Sequence, residues 1–205
     1  MERIITVEGQ GTCESAPDAV CFECSMSGRD GDHAEAVRMS AECASPLREA
    51  LVSAGFPADS LKTVSVSVRP VYENVREDDA YRTEFAGFEY DHRLRLEVPS
   101  DGQEVGRVMD AMLSTGVQFS MSYRLADPSV AEESARRGAV EDAKAKAMQL
   151  ASAAGVRLGE IVSISYGSGG DAPPFRTMAM RANAPDMVPE SITVTDSVTV
   201  SWIIL

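Results

Sequence analysis

Two cysteines spaced as Cys21-x-x-Cys24, with Cys13 before them and Cys43 after, are the residues of this chain best suited to chemistry. A C-x-x-C pair serves thiol exchange when its first thiol sits at a helix N-terminus, where the dipole favours the thiolate. It serves metal binding when further Cys or His ligands converge on it. Here the pair lies inside an alternating run, Val20, Phe22, Cys24 and Met26 against Cys21, Glu23, Ser25 and Ser27, which reads as a half-buried strand. Odd and even positions of a strand point to opposite faces, so the pattern predicts Cys24 in the core and Cys21 on the surface. Met178, Met180 and Met187 form a second soft-donor set, since thioethers ligate Cu(I) or are oxidised sacrificially. No His or Cys lies near them in sequence to complete a copper site, and a loop that lays methionines on an apolar surface fits the same residues.

Two histidines are present: His33 beside a helix start, and His92 on the apolar face of a strand. Neither has a second ligand at metal spacing, and both read as structural. Cys21, Cys24, Met178 and Met180 are therefore only weak metal candidates; no catalytic residue is assigned, and no cofactor is expected. Gly9-Gln10-Gly11 lacks the third glycine of a dinucleotide loop and leads toward another strand instead of a helix. Walker, zincin, EF-hand and serine-elbow patterns do not occur. Glu132-Glu133 and Glu141-Asp142 share their helix with Arg136, Arg137, Lys144 and Lys146, the composition of a solvated face.

The elements that would carry these residues are legible from periodicity. Ile5 and Val7 alternate as a first strand; Gly9, Gly11, Pro17 and Asp18 then supply turn chemistry, so residues 3–28 read as a hairpin. Asp32 and Glu35 open a helix with its stripe at Val37, Ala41, Ala44, Leu47 and Leu51, closed by Gly55, with Pro46 as a kink or a real first turn. Val64, Val66 and Val68 alternate next, then Phe88, Tyr90, His92, Leu94, Leu96 and Val98, with a charged connection over 73–83 expected at an exposed hairpin tip; Val66, Leu94, Leu96 and Phe119 are expected in the core. Ser100 and Gln103 open a second helix ending at Gly116, and Val117, Phe119, Met121, Tyr123 and Leu125 form a strand. Asp127-Pro128 starts the longest helix, whose Ala131, Ala135, Ala139, Ala143, Ala147, Ala151 and Ala154 let its backbone sit close to whatever it packs on. Strands over 161–166 and 192–204 finish the chain, separated by a Gly-, Pro- and Met-rich loop over 167–189. One wet face per strand predicts an α+β fold, antiparallel sheets with three helices mainly on one face, in the order ββαββαβαββ. Setting Gly55 on Gly155 matches Ala54 with Ala154, Leu61 with Ile161 and Val64 with Ile164. That weak echo of two intertwined halves is matched equally by similar helix-to-strand turns using similar residues.

At 205 residues the chain suits one domain of this kind or two small ones sharing a core, and 44% hydrophobic against 25% charged residues places it among folded proteins. Its net charge of −13 opposes nucleic acid and anionic lipid. No run approaches the apolar length of a membrane span, and no signal-peptide pattern follows Met1. A cytoplasmic protein is expected from the chain as it stands, or a periplasmic one if a leader has been removed. Four clustered cysteines are too few for a disulfide framework.

Several segments together resemble the SIMPL-domain family, the kinase-interacting and oxidative-stress-defence-like proteins. Ile5-Thr6-Val7-Glu8-Gly9-Gln10-Gly11 with Ala16-Pro17-Asp18 is similar to that family's opening strand and turn. Val68-Arg69-Pro70-Val71-Tyr72 resembles its middle strand, and Ala86-Gly87-Phe88-Glu89-Tyr90 the start of the next. Residues 139–147, then Leu150-Ala151, Gly155 and Leu158-Gly159, give the strongest match. The resemblance implies an α+β fold, self-assembly into rings or channel-like oligomers in some members, and no established catalytic residues. It leads to the expectation of a non-enzymatic, self-associating protein linked to oxidative-stress tolerance. The alternative is a redox or metal-handling protein using Cys21, Cys24 and the loop methionines. The final strand, uncharged after Asp196 and apolar on both faces at Trp202, Ile203, Ile204 and Leu205, reads as an exposed edge and the candidate homo-oligomer interface, with a central position in the sheet as the alternative.

Overall fold

The computed structural model describes residues 3–77, 80–167 and 189–205. Along them run β1 (Ile4–Ser15), β2 (Ala19–Asp30), α1 (His33–Glu42), α2 (Ser45–Ser53), β3 (Lys62–Glu77), β4 (Ala80–Pro99), α3 (Gly102–Thr115), β5 (Phe119–Arg124), α4 (Ser129–Ala153), β6 (Leu158–Ser165) and β7 (Ile192–Ile204). The fold is α+β in the order read from sequence, with the first helix broken into α1 and α2. Pro46 causes the break: it has no N–H to give a preceding carbonyl and occupies the first turn of a new helix. Asp32 caps α1 as its spacing implied, its Oδ1 accepting from the N–H of Ala34 at 2.8 Å and of Glu35 at 3.1 Å. For α3 the cap is Asp101 and not Ser100, accepting from Gln103 and Glu104 at 2.9 and 3.2 Å.

The chain divides into two compact units interleaved in sequence. One holds β1, α4, β6 and β7, the other β2 to β4 with α1, α2 and α3 and most of β5. β1 and β2 are consequently not a hairpin. β1 pairs antiparallel with β7, from Ile4 opposite Ile203 to Ser15 opposite Ile192, whereas β2 pairs antiparallel with β4. Pro17 and Asp18 mark the change of sheet. The Asp18 N–H donates to the Arg124 carbonyl at 3.1 Å, and its Oδ1 accepts from Ala126 N–H at 2.7 Å, tying the outgoing chain to the returning one.

Each sheet repeats one topology. In the first unit the strand order is β1-β7-β6; in the second it is β3-β4-β2-β5. Both therefore follow strand, helix, edge strand, middle strand, with the last strand inserted between the other two. α2 and α4 end identically, at Gly55 and Gly155. Gly55 (φ 92) donates to Val52 and Phe56 to Leu51, as Gly155 (φ 70) donates to Ser152 and Val156 to Ala151. This double bond pattern needs a left-handed residue, which glycine adopts without steric cost.

The core of the second unit joins Val20, Phe22 and Cys24 of β2, Leu94, Leu96 and Val98 of β4, Leu47 and Leu51 of α2, and Val108 and Met112 of α3. Leu94→Ala should cost about 2–5 kcal/mol in denaturant melts, and Arg93→Ala on the wet face well under half of that. Equal small effects would reverse the faces. Val66 does not belong to this core, because β3 is an edge strand that the helices leave uncovered; Val66 is 49% exposed. A register shift between Thr63 and Ser65 also turns Val64 to the open side. Phe119 is half-buried, its ring 5.8 Å from that of Phe22. The charged stretch over 73–83 is largely strand: β3 and β4 stay paired to Glu77 opposite Ala80, and Tyr72, Phe85, Phe88 and His33 stack edge to face along this ribbon.

Candidate functional site

In the first unit the alanines of α4 face β1 and β7. Ala131, Ala135, Ala139, Ala143, Ala147 and Ala151 are buried, and Ala143 and Ala147 close on Val7, Val198, Val200 and Trp202. Gly9 and Gly11 are not turn residues but lie within β1, where the helix backbone descends onto the strand. A Cβ on Gly9 would stand 2.1 Å from the Ala139 carbonyl oxygen, and one on Gly11 1.9 Å from that of Ala135. The helix also shields the outer edge of β1. Asp142 Oδ2 accepts from the Gln10 N–H at 2.8 Å, and Lys146 Nζ, paired with Asp142 at 2.7 Å, donates to the Glu8 carbonyl at 3.3 Å. Lys146 first, and then the Gln10 N–H, hold the Asp142 carboxyl below its usual range.

Among the described residues β6 has no such cover. Ile161 and Ile164 lie opposite Trp202 and Val200, hence on the face that α4 covers over β1 and β7. Yet they are 54% and 57% exposed, since the helix hardly reaches the third strand.

β7 itself is the middle strand, not an edge, so the central alternative holds and the edge expectation fails. Trp202 is core, Ile203 and Ile204 are half-buried, and Leu205 is exposed. The reason is the long return that brings the last strand between β1 and β6, which local apolarity does not reveal.

In the second unit Cys21 and Cys24 do point to opposite faces, but Cys21 is fully buried and not a surface residue. β2 is covered on both faces over Ala19–Phe22 and alternates only beyond it. None of the four cysteines is in a disulfide. Burial, and next the Cys43 sulfur, push the Cys24 thiol up to about 11, so it rests as a protonated thiol. Among the described residues no three His, Cys, Asp or Glu side chains are grouped to hold a metal. Met178, Met180 and Met187 lie outside the described residues.

His33 stacks on Phe88, and His92 is satisfied within the fold, as its apolar surroundings suggested. His92 Nδ1 lies 2.8 Å from the Ser40 carbonyl, which can only accept, so this nitrogen carries the proton; Nε2, 3.0 Å from Thr63 Oγ1, accepts from the hydroxyl. Sequence reasoning missed Cys43 here. Its sulfur sits 3.4 Å from Nδ1, a contact between positions 43 and 92 that no local pattern announces.

The open face of the four-stranded sheet carries a shallow groove of about 650 Å³ lined by Glu23, Ser25, Val64, Arg93, Arg95 and Ser120. Its charges are spent on each other: Arg95 on Glu23 at 3.0 Å and Arg93 on Asp91 at 3.2 Å, with Ser25 donating to Asp91. This is a solvated sheet face with no side chain poised as nucleophile or base.

The glycine and alanine seam between β1 and α4 coincides with the segments that carry the family resemblance, and comparison with known proteins decides the matter. Residues 5–202 match the profile of SIMPL, described as a protein of unknown function (DUF541). The chain belongs to the SIMPL family. Two curated relatives are the 26 kDa periplasmic immunogenic proteins of Brucella melitensis and Brucella abortus, each 31% identical over 193 residues, covering 89% of this chain and 75% of theirs. No helix of this SIMPL protein, among the described residues, is long and apolar enough to cross a membrane.

Proposed function

We propose that this SIMPL protein is a non-enzymatic, self-associating protein of a bacterial periplasm, assembling through the edge of β6 that no described strand pairs with. The observation that carries the reading is the contrast between the two outer strands of one sheet. The edge of β1 is closed by Asp142 and Lys146, whereas β6 combines the other edge with the exposed Ile161, Val162 and Ile164. An apolar edge uncharged after Glu160 is a template for a second chain. The periplasm is supported by the name of the Brucella relatives, which are periplasmic immunogenic proteins.

Native mass spectrometry and light scattering of the full chain at micromolar concentration should report an oligomer. Ile164→Lys should leave the circular dichroism spectrum unchanged and bring the mass down to the monomer. A monomeric wild type, or an assembled Ile164→Lys variant, would overturn the reading. The absence of a catalytic constellation among the described residues supports a non-enzymatic role, which turnover in a broad substrate screen would refute. Family resemblance supports a contribution to oxidative-stress tolerance. A strain lacking the protein should survive peroxide less well than its complemented parent, and equal survival removes that element.

A further inference from the structure

Cys43 is the C-cap of α1, and its sulfur lies 3.2 Å from the Ser40 carbonyl oxygen and 3.4 Å from His92 Nδ1. His92 stands opposite Met26 on the neighbouring strand, and Cys24 opposite Leu94. Cys24 and Met26 are two residues apart, so Cys24 is the diagonal neighbour of His92 on the same sheet face, a relation that places side chains roughly 7 Å apart at Cβ. The Cys43 sulfur thus comes from the helix side to the imidazole beside which Cys24 stands. Burial first, and the Cys43 sulfur second, raise both the Cys24 thiol and the hydroxyl of Tyr90, two residues before His92 on that face. Cys21 points to the opposite face of β2, and Cys13 belongs to the other unit.

We propose that Cys24 and Cys43, gathered beside His92 on the sheet face beneath α1, are a thiol pair that closes to a disulfide on exposure to a hydroperoxide. Cys43, half-buried where Cys24 is buried, reacts first. Burial holds the Cys43 thiol above its usual range, so its minor thiolate form, 3.4 Å from His92 Nδ1, attacks the peroxide; the S–O bond forms, the O–O bond breaks, and the departing hydroxide takes the proton that the thiol gave up to become water. The Cys24 sulfur then attacks the sulfenic sulfur of Cys43. The S–S bond forms, the S–O bond breaks, and the second oxygen leaves as water with the Cys24 proton. Two thiols lose two electrons and two protons, and one hydrogen peroxide becomes two waters. The bond ties the end of α1 to β2.

The experiment treats the reduced full-length protein with hydrogen peroxide, alkylates the remaining thiols, and reads intact mass and digested peptides. Two of the four thiols should escape alkylation, in one linked peptide pair holding Cys24 and Cys43, reversed by dithiothreitol. In Cys24→Ala the sulfenic acid at Cys43 should persist and be trapped by a dimedone probe; in Cys43→Ser no bridge should form. The wild-type peptides decide even where a variant folds poorly. Four alkylated thiols under peroxide that fully oxidises glutathione, a bridge through Cys13 or Cys21, or sulfinic acid at Cys43 without a bridge would each overturn the proposal.

Discussion

Gly11→Ala is expected to abolish the cooperative unfolding transition of this SIMPL protein, a loss of more than about 4 kcal/mol. The added methyl would stand 1.9 Å from the Ala135 carbonyl oxygen and 2.4 Å from the Ala139 nitrogen. Both are backbone atoms of a helix, so no side-chain rotation relieves the clash; α4 must lift off β1 along its length. Lifting it would also uncover Trp202 and break the Asp142 and Lys146 contacts that close the edge of β1. Overpacking ordinarily costs ~1–3 kcal/mol because flexible groups give way, and here they cannot. Gly106→Ala is the matching control. Gly106 lies inside α3 with nothing within 4 Å of its would-be Cβ, so alanine should be neutral or stabilise by up to about 1 kcal/mol. Urea melts of the two variants check this, and similar midpoints would show that the seam is looser than its geometry.

Trp202→Ala should lower stability by roughly 3–5 kcal/mol, with no separate effect on assembly. The indole is 5% exposed and packs with Val7, Val200, Ala143 and Ala147. Its loss leaves a void that alanines on the helix cannot fill, because their short side chains already bring the backbone to the sheet. Thermal melts should show the drop. Light scattering well below the midpoint should show the wild-type mass. A stable variant that has fallen to the monomer would instead place Trp202 at a subunit interface.

Most elements were legible from sequence because the forces that shape them are local. Period-two runs marked the strands, Asp32 and the closing glycines Gly55, Gly116 and Gly155 bounded helices, and the alanine spacing of residues 131–151 announced a close helix contact. The family was legible for a related reason: Gly9, Gly11 and the alanine ladder are a steric match that other residue types cannot make. Pairing was not. β1 looks like half of a hairpin with β2, and β7 looks like an edge, because a strand's own side chains report how wet its faces are but not which strand supplies its hydrogen bonds. For the same reason Val66 looked buried and Cys21 exposed: alternation states which residues share a face, while the reach of the covering helices decides whether that face is covered. Cys43 and His92, 49 residues apart, met only once the end of α1 had settled on β4. Sequence determined the elements and the close-packed seam through short-range sterics. Tertiary structure alone decided the partners of each strand, the open edge at β6 and the thiol pair beside His92, because those depend on where chain ends separated by long loops come to rest.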